Sequence, residues 1–170
     1  MTMTTPVHAA SRLVMDSPIG PLTLEGHDGA LTAVHLGPPG EGVVTTGPEA
    51  GDSGLLAEAV AQLDAYFAGE RASFDLPVRS EGTDFQRRVW STLTEIPYGR
   101  TWSYGEVAAR IGTPQASRAV GAACGRNPVA IVVPCHRVVG ADGRLTGYGG
   151  GLARKRALLD LERAHRLQSV

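Results

Sequence analysis

The chain has 170 residues and is 42% hydrophobic, which is enough to bury the core of one domain or of two small ones. Its 2 cysteines are too few for a disulfide framework or a four-thiolate metal site, so we expect a cytoplasmic protein with reduced thiols. The sequence has no apolar run long enough to span a bilayer. Residues 1–11 lack the pattern of a secretory signal and are predicted to be a flexible tail.

The net charge of −1 hides an asymmetry between the two halves of the chain. Residues 1–79 hold 3 basic against 10 acidic residues, a charge of −7, whereas residues 80–170 hold 13 basic against 7 acidic residues, a charge of +6. A basic half of this kind favours contact with a polyanion, although arginines that only solvate helix faces would give the same count. We predict an N-terminal domain at residues 12–79 and a second domain at residues 80–170.

The first half has the pattern of a small antiparallel sheet followed by a helix. Three short extended segments are separated by turns, at residues 12–16, 21–25 and 30–36. A loop rich in Gly and Pro is expected at residues 37–54. A helix that Gly69 ends should then bury an apolar stripe formed by Leu56, Val60, Leu63 and Phe67. Residues 74–78 are predicted as an edge strand, and His8, His27 and His35 are interpreted as surface residues.

The second half begins with helices that are marked by their N-terminal signals. Thr83 with Gln86, and Ser103 with Glu106, are capping boxes that predict helices starting near residues 84 and 104. The first helix should end at the Pro-Tyr-Gly of residues 97–99. It should bury an apolar stripe formed by Phe85, Val89, Leu93 and Ile96. A last helix is predicted at residues 152–165, with Leu158, Leu159 and Leu161 in or near the core.

A pair of short helices in this half is typical of a helix-turn-helix. The helix after Ser103 should run through Ile111, where Gly112 closes it. Thr113 is then the predicted N-cap, and Pro114 the first residue, of a helix that ends at Cys124. Two such helices joined by a tight turn predict a DNA-binding unit whose second helix is the recognition helix.

One stretch combines a core pattern with three consecutive polar groups. The apolar run at residues 129–133 predicts a short buried strand, which Pro134 should interrupt just before a thiol. A lone cysteine such as Cys135 is usually a small buried hydrophobe. His136 and Arg137 follow it directly, and burying all three without a role would be costly. The stretch is therefore a candidate site.

These residues resemble the signature of the O6-alkylguanine-DNA alkyltransferases. The string from Pro134 to Val138, with Asn127 and Pro128 upstream, carries the resemblance. Further segments match in the family's order, at residues 85–90, 98–99, 103–106, 117–121 and 148–152. The match is tight over residues 83–162 and loose in the first half, where it rests on residues 17–22.

The resemblance implies a fold and a reaction. The fold is α+β, with a small N-terminal antiparallel sheet and helices, ribonuclease H-like, before a mostly helical, winged helix-turn-helix-like domain. The reaction is direct-reversal DNA repair, in which the alkyl group of O6-alkylguanine or O4-alkylthymine moves irreversibly to the protein's own cysteine. The resemblance also implies a monomer that clusters on double-stranded DNA, needs no cofactor and does not associate with a membrane. Some members bind zinc through N-terminal cysteines, which this chain lacks, so no metal is expected.

The resemblance also assigns the catalytic roles. Cys135 is the alkyl acceptor, His136 activates it and Glu162 fixes the imidazole. Neighbouring side chains on an extended segment point to opposite faces, so we expect a bridging water between Cys135 and His136 rather than direct contact. A thiolate is the reactive form, and we expect the pKa of Cys135 to lie below that of a free cysteine. Asn127 is the hinge between the recognition helix and the cysteine segment.

Further residues match positions that handle the flipped base. Arg118 fills the gap in the duplex, approached from the minor groove. Tyr104 rotates the phosphate and protonates the base, and Lys155 approaches guanine O6. Gln86, Thr113 and Ala119 are expected to contact DNA. The substrate pocket is expected to be formed by Tyr148, Gly149, Gly150 and Val138, in addition to Lys155.

Two other functions are compatible with parts of this pattern. A cysteine hydrolase would also use a thiol, an imidazole and a carboxylate, but its histidine normally comes from distant sequence. A DNA-binding module without chemistry would keep the helix-turn-helix, but such members of the family replace the cysteine that is present here.

Overall fold

A computed structural model describes residues 10–40 and 51–168 of the chain. Most of the predicted tail, including His8, and most of the loop predicted at residues 37–54 lie outside the described residues. None of the described helices is long and apolar enough to cross a membrane. The boundary between residues 79 and 80 stays a prediction.

The first half forms the predicted antiparallel meander. Strands β1 (Ser11–Met15), β2 (Leu22–His27) and β3 (Ala30–Leu36) lie in the order β1-β2-β3, so β1 and β2 differ from the prediction by one or two residues at their ends. Leu22 and Leu24 on the central strand are fully buried. Their face of the sheet packs against helix α1 (Ser53–Phe67), which runs across it.

Helix α1 buries a face that is rotated from the predicted stripe. Leu56 and Leu63 are buried as expected, but Ala59 and Tyr66 are buried with them, while Val60 and Phe67 are only half-buried. The buried face of α1 is therefore wider than the stripe of four large residues that the sequence predicted. Tyr66 has no exposed surface and reaches toward Tyr98 of the second half, with ring centroids 6.2 Å apart.

The predicted edge strand at residues 74–78 is wrong. Only Val78 makes a bridge, to Leu31, flanked by hydrogen bonds from Leu31 to Pro77 (2.8 Å) and from Arg79 to Leu31 (3.0 Å). Pro77 has no N–H, so a ladder cannot continue through it. The side chain of Gln62 also uses both hydrogen-bonding groups of the Asp75 backbone, since it accepts from the N–H at 2.9 Å and donates to the carbonyl at 3.0 Å.

The described part of the second half contains four helices, and the first two begin where the capping boxes placed them. They are α2 (Asp84–Leu93), α3 (Tyr104–Arg110), α4 (Ser117–Gly125) and α5 (Leu152–Gln168). Gln86 and Thr83 exchange hydrogen bonds of 3.0 and 3.1 Å, and Ser103 and Glu106 form the second capping box. Helix α2 stops at Leu93, earlier than predicted, although Ile96 beyond it remains buried.

The predicted start of the recognition helix is wrong. Helix α4 begins at Ser117, with Ala116 as an N-cap that provides no side-chain hydrogen bond. The carbonyl of Thr113 instead accepts from the N–H of Ala116 at 2.9 Å, which makes residues 113–116 a turn. The hydroxyl of Thr113 is buried without a hydrogen-bond partner among the described residues, so it does not act as a cap.

The strand predicted at residues 129–133 is also wrong, although four of its five side chains are buried in the core. Val129 bridges to Val34, and Ala130 bridges to Val133 across a tight turn in which Ile131 has a φ of 70°. A short 3₁₀ turn, Cys135–Arg137, follows Pro134. Strand β5 (Val138–Val139) then pairs in parallel with β4 (Trp102–Ser103), which brings this segment beside α3.

Candidate active site

Cys135 is held at the start of the 3₁₀ turn, where it is 7% exposed. The backbone N–H of Cys135 donates to the carbonyl of Val133 at 2.8 Å, and that of Arg137 donates to the carbonyl of Pro134 at 3.0 Å. The segment is therefore compact rather than extended, which corrects the geometry that we expected from its sequence. From this turn the thiol of Cys135 faces the cavities described below, whereas His136 and Arg137 both reach Glu162.

Asn127 ties the end of α4 to this turn. Its Nδ2 donates to the Val133 carbonyl at 2.9 Å and to the sulfur of Cys135 at 3.2 Å. Its Oδ1 accepts from the N–H of Val129 at 3.0 Å. One side chain thus fixes both sides of the tight turn and supplies a hydrogen bond to the thiol, a geometry consistent with the hinge role that the resemblance assigned to Asn127.

His136 points away from the cavity toward α5. Its Nε2 lies 2.7 Å from Oε2 of Glu162, and both side chains are almost completely buried. An ionised carboxylate can only accept, so Nε2 carries the hydrogen of the neutral imidazole. Nδ1 is consequently an acceptor, and it is buried without a partner among the described residues. The imidazole is therefore prepared to take up a proton at Nδ1.

Arg137 is the residue that the sequence reasoning left without a role. Its Nε lies 2.6 Å and its Nη2 2.5 Å from Oε1 of Glu162, and its Nη1 donates to the carbonyl of Ile96 at 2.7 Å. Charge-assisted hydrogen bonds of this kind are short and strong. Arg137 thus orients Glu162, which in turn orients His136. No local sequence signal marks the pairing, because the partners lie 25 residues apart.

Burial and hydrogen bonding set the ionisation of these groups. Burial raises the pKa of Cys135 above its ordinary value, and the hydrogen bond from Asn127 and the charge of Lys155 offset this only in part. This direction is opposite to the expectation from the sequence. Burial lowers the pKa of His136 despite Glu162. Burial also raises the pKa of Glu162, but the hydrogen bonds from His136 and Arg137 outweigh it and lower the pKa.

A cavity of about 490 Å³ opens beside the thiol. It lies between α3, α4 and the loop that precedes α5, and among its lining residues are Tyr104, Arg118, Cys124, Cys135 and Tyr148. Arg118 and Ala119 are exposed on α4, and Arg118 also lines this cavity. The cavity is of the size that holds a small organic group such as a nucleobase.

A second cavity of about 200 Å³ borders Cys135 from the other side. Its walls come from β3 of the first half and from the pocket loop, which we define as residues 147–151. Tyr148 lines both cavities, and Gly149 and Gly150 line the smaller one. Three of the five predicted pocket residues therefore meet at the cysteine.

The other two predicted pocket residues lie behind the cavity walls. Val138 is fully buried in β5. Lys155 is 1% exposed, and its Nζ donates to the carbonyls of Thr146 (3.0 Å) and Gly147 (3.4 Å). Tyr104 donates to the same Thr146 carbonyl at 3.1 Å. Thr146, which no sequence pattern singled out, thus joins the side chains of Tyr104 and Lys155.

The remaining predicted DNA contacts are only partly available. The Gln86 side chain is engaged in its capping box, and Thr113 turns its hydroxyl inward. Cys124, the predicted last residue of the recognition helix, lines both cavities together with Cys135, and burial raises its pKa to about 12. Such a thiol stays protonated at neutral pH and is a poor nucleophile.

Two family models together match most of the chain. The ribonuclease-like domain of 6-O-methylguanine DNA methyltransferase matches residues 12–80. The DNA binding domain of the same family matches residues 84–164.

Similar proteins align over nearly their full length. The methylated-DNA--protein-cysteine methyltransferase of Mycobacterium bovis is 56% identical over 154 residues, which cover 88% of this chain and 90% of that protein. The protein of the same name from Methanosarcina acetivorans is 50% identical over 149 residues, 88% of this chain and 96% of that one. The crystal structure of Mycobacterium tuberculosis OGT in complex with DNA has a TM-score of 0.80 and 56% identity, covering 89% of this chain and 92% of that one.

Proposed function

The chain belongs to the 6-O-methylguanine DNA methyltransferase family, and we propose on that premise that Cys135 is its alkyl acceptor. The protein repairs DNA by alkyl transfer, as a methylated-DNA--protein-cysteine methyltransferase. The observation that carries the assignment of Cys135 is its position between two cavities, hydrogen-bonded to Asn127 and next to a buried His136–Glu162 pair. Neither a cysteine hydrolase nor a DNA-binding module without chemistry is favoured by these relatives.

The proposed reaction moves one alkyl group and one proton. The sulfur of Cys135 attacks the alkyl carbon, the bond between that carbon and guanine O6 breaks, and the electron pair stays on the base. The base takes up a proton and leaves as ordinary guanine, while the thiol loses its proton. The product is a thioether, so each molecule reacts once.

His136 is the proposed acceptor of the thiol proton. Its Nδ1 carries the free lone pair, and a water between Nδ1 and the sulfur would pass the proton along. The imidazolium that forms lies against the Glu162 carboxylate, which Arg137 holds in place. This arrangement stabilises the positive charge where it appears, as the buried carboxylate does in other relays.

We also propose how the base reaches the thiol. The alkylated nucleotide is flipped from the duplex into the cavity that Tyr104, Arg118 and Cys135 line. Arg118, which is exposed on α4, is proposed to fill the gap from the minor groove. Tyr104 is the proposed proton donor to the base, and the proton that His136 takes from the thiol returns through solvent to the Tyr104 oxygen. Lys155 donates two of its three N–H groups to backbone carbonyls, and the third is proposed to approach O6.

Intact-mass spectrometry after incubation with a duplex that contains O6-methylguanine tests the proposal. The protein mass should rise by one methyl group, peptide mapping should locate the group on Cys135, and the reaction should stop at one equivalent. The Cys124→Ser variant should still take up one methyl group, whereas Cys135→Ser should take up none. Turnover beyond one equivalent, or methylation elsewhere, would contradict the assignment.

The finer features of substrate and assembly are further parts of the proposal. We propose that O4-alkylthymine is also a substrate and that the protein is a cytoplasmic monomer that clusters on double-stranded DNA. The excess positive charge of residues 80–170 supports binding to the phosphate backbone. Sedimentation with and without a long duplex tests the assembly, and the mass assay with an O4-methylthymine duplex tests the second substrate.

A further inference from the structure

The geometry points to Arg154 as a positioning residue that fixes the pocket loop against the N-terminal domain and so shapes the cavity at Cys135. This inference rests on the proposed function, because it concerns the pocket in which the alkylated base would lie. Arg154 belongs to the first turns of α5, and nothing in the sequence pattern distinguishes it from the other arginines of that helix.

Arg154 forms a bridge between two parts of the chain that are far apart in sequence. Its Nε donates to the carbonyl of Ile19 at 2.8 Å, across 135 residues, and its Nη1 donates to the carbonyl of Gly150 at 2.9 Å. A guanidinium suits this task because its donors are fixed in one plane. Gly150 belongs to the pocket loop, and Ile19 belongs to the turn between β1 and β2.

The turn that receives Arg154 is itself held in shape. The hydroxyl of Ser17 donates to the carbonyl of Gly20 at 2.5 Å, and the N–H of Gly20 donates to the carbonyl of Ser17 at 3.0 Å. Gly20 has a φ of 102°, and a Cβ there would lie 3.4 Å from Nη2 of Arg154. The carbonyl of Ile19 is therefore presented to the guanidinium by a rigid turn without a side chain in the way.

A packing contact holds the same loop from the other side. A Cβ on Gly150 would lie 2.5 Å from Cδ1 and 3.1 Å from Cβ of Leu36, at the end of β3. The backbone of the pocket loop thus lies directly on the N-terminal domain. Tyr148, two residues earlier, lines both cavities with Cys135. The N-terminal domain, which supplies none of the assigned catalytic residues, therefore sets the position of one pocket wall.

The Arg154→Ala variant tests the bridge. We expect the concentration of free O6-benzylguanine that gives half-maximal reaction to rise about tenfold. A loss of this size lies within the range by which a small misplacement of the substrate slows a reaction. The pH dependence of Cys135 alkylation by iodoacetamide should stay unchanged, because the relay is not touched. Arg156→Ala is the matched control, since Arg156 is exposed on the same helix, and it should behave as wild type.

A compensating pair tests the packing contact without removing any charge. Gly150→Ala should push the loop off Leu36 and weaken reaction with O6-benzylguanine by a similar factor. Leu36→Ala should remove the closest contact, to Cδ1, and leave the one to Cβ at 3.1 Å, so the double variant should recover part of the loss. A loss that Leu36→Ala does not relieve would mean that the added methyl group acts inside the pocket rather than through the N-terminal domain.

Wild-type protein in the same assay separates the role of Arg154 from the proposed function. If wild type takes up no alkyl group on Cys135, the proposed function fails. If wild type reacts and Arg154→Ala reacts identically, only the role of Arg154 is overturned. A loss in Arg154→Ala that also shifts the iodoacetamide pH profile would likewise overturn it, because a positioning role confined to the loop leaves the thiol unchanged.

Discussion

The carboxylate of Glu162 lies 2.7 Å from Nε2 of His136, and neither side chain is exposed by more than 1%. The same carboxylate is the counterion of Arg137. Removing its charge therefore affects stability as well as the imidazole. We predict that Glu162→Gln lowers the free energy of unfolding by about 3–5 kcal/mol, because a buried guanidinium loses its partner. Urea unfolding measures the loss, which should lower the midpoint concentration of urea while the m-value stays unchanged.

A double variant separates the buried charge from the hydrogen bond to the imidazole. Glu162→Gln combined with Arg137→Met should lose less stability than Glu162→Gln alone, since no unpaired charge remains. Alkyl transfer should stay slow in both, because His136 lacks its carboxylate in both. Equal destabilisation of the single and double variants would show that the guanidinium finds water or another partner.

The exposed position of Arg118 allows base flipping to be tested apart from chemistry. If Arg118 holds the gap in the duplex, Arg118→Ala should slow reaction with an O6-methylguanine duplex by about tenfold or more, in line with the few kcal/mol that unstacking costs. It should react nearly normally with free O6-benzylguanine, which needs no flipping. Single-turnover rates on the two substrates measure the difference, and equal losses would count against the role.

Two neighbouring arginines on α2 should respond differently to substitution. Arg87 is exposed and paired with Asp84, whereas Arg88 donates to the carbonyl of Ile111 at the end of α3. We predict that Arg88→Ala lowers stability by about 1 kcal/mol because α2 and α3 lose a link. If Arg87 contacts a phosphate, Arg87→Ala should reduce the slope of log affinity against log salt by about 1. An unchanged slope would place Arg87 on a solvated face.

The features that were predictable from sequence are those encoded locally. Both capping boxes formed because each depends on residues three positions apart, Thr83 with Gln86 and Ser103 with Glu106. Thr113 failed as a cap because its hydroxyl turns inward, which neighbouring residues do not determine. Residues 129–133 satisfied the pattern of a strand, but their bridge partner Val34 comes from the first half of the chain.

The candidate site shows the same division between local and distant information. The motif around Cys135 could be recognised because its residues are adjacent, and the family resemblance supplied Glu162. The roles of Arg137 and Arg154 could not be predicted, since each depends on a partner brought close only by folding: Glu162 for the first and the Ile19 carbonyl for the second. The pKa of Cys135 was misjudged because the depth of burial is a property of the packed fold.

The raised pKa of Cys135 makes a prediction about its reactivity. Burial is the largest cause, so the thiol is protonated at neutral pH and only a small fraction is the reactive thiolate. The rate of alkylation by iodoacetamide should therefore still be rising at about pH 9, beyond the ordinary cysteine pKa of about 8.5. Peptide mapping separates Cys135 from Cys124, whose pKa burial raises to about 12. A plateau below about pH 8 would contradict the prediction.

Two variants distinguish the groups that set this profile. Asn127→Asp replaces the amide that donates to the sulfur with a carboxylate, which should raise the thiol pKa further. Alkylation at a fixed pH should then be slower, by about tenfold if the pKa rises by about 1. His136→Ala should leave the iodoacetamide profile nearly unchanged, because a neutral imidazole bound to Glu162 contributes no charge at the sulfur. The same variant should slow transfer from O6-methylguanine, where the proton must be removed during the reaction. If the pH profile of iodoacetamide alkylation shifts to higher pH in His136→Ala, with the fold intact, the imidazole is charged in the resting protein.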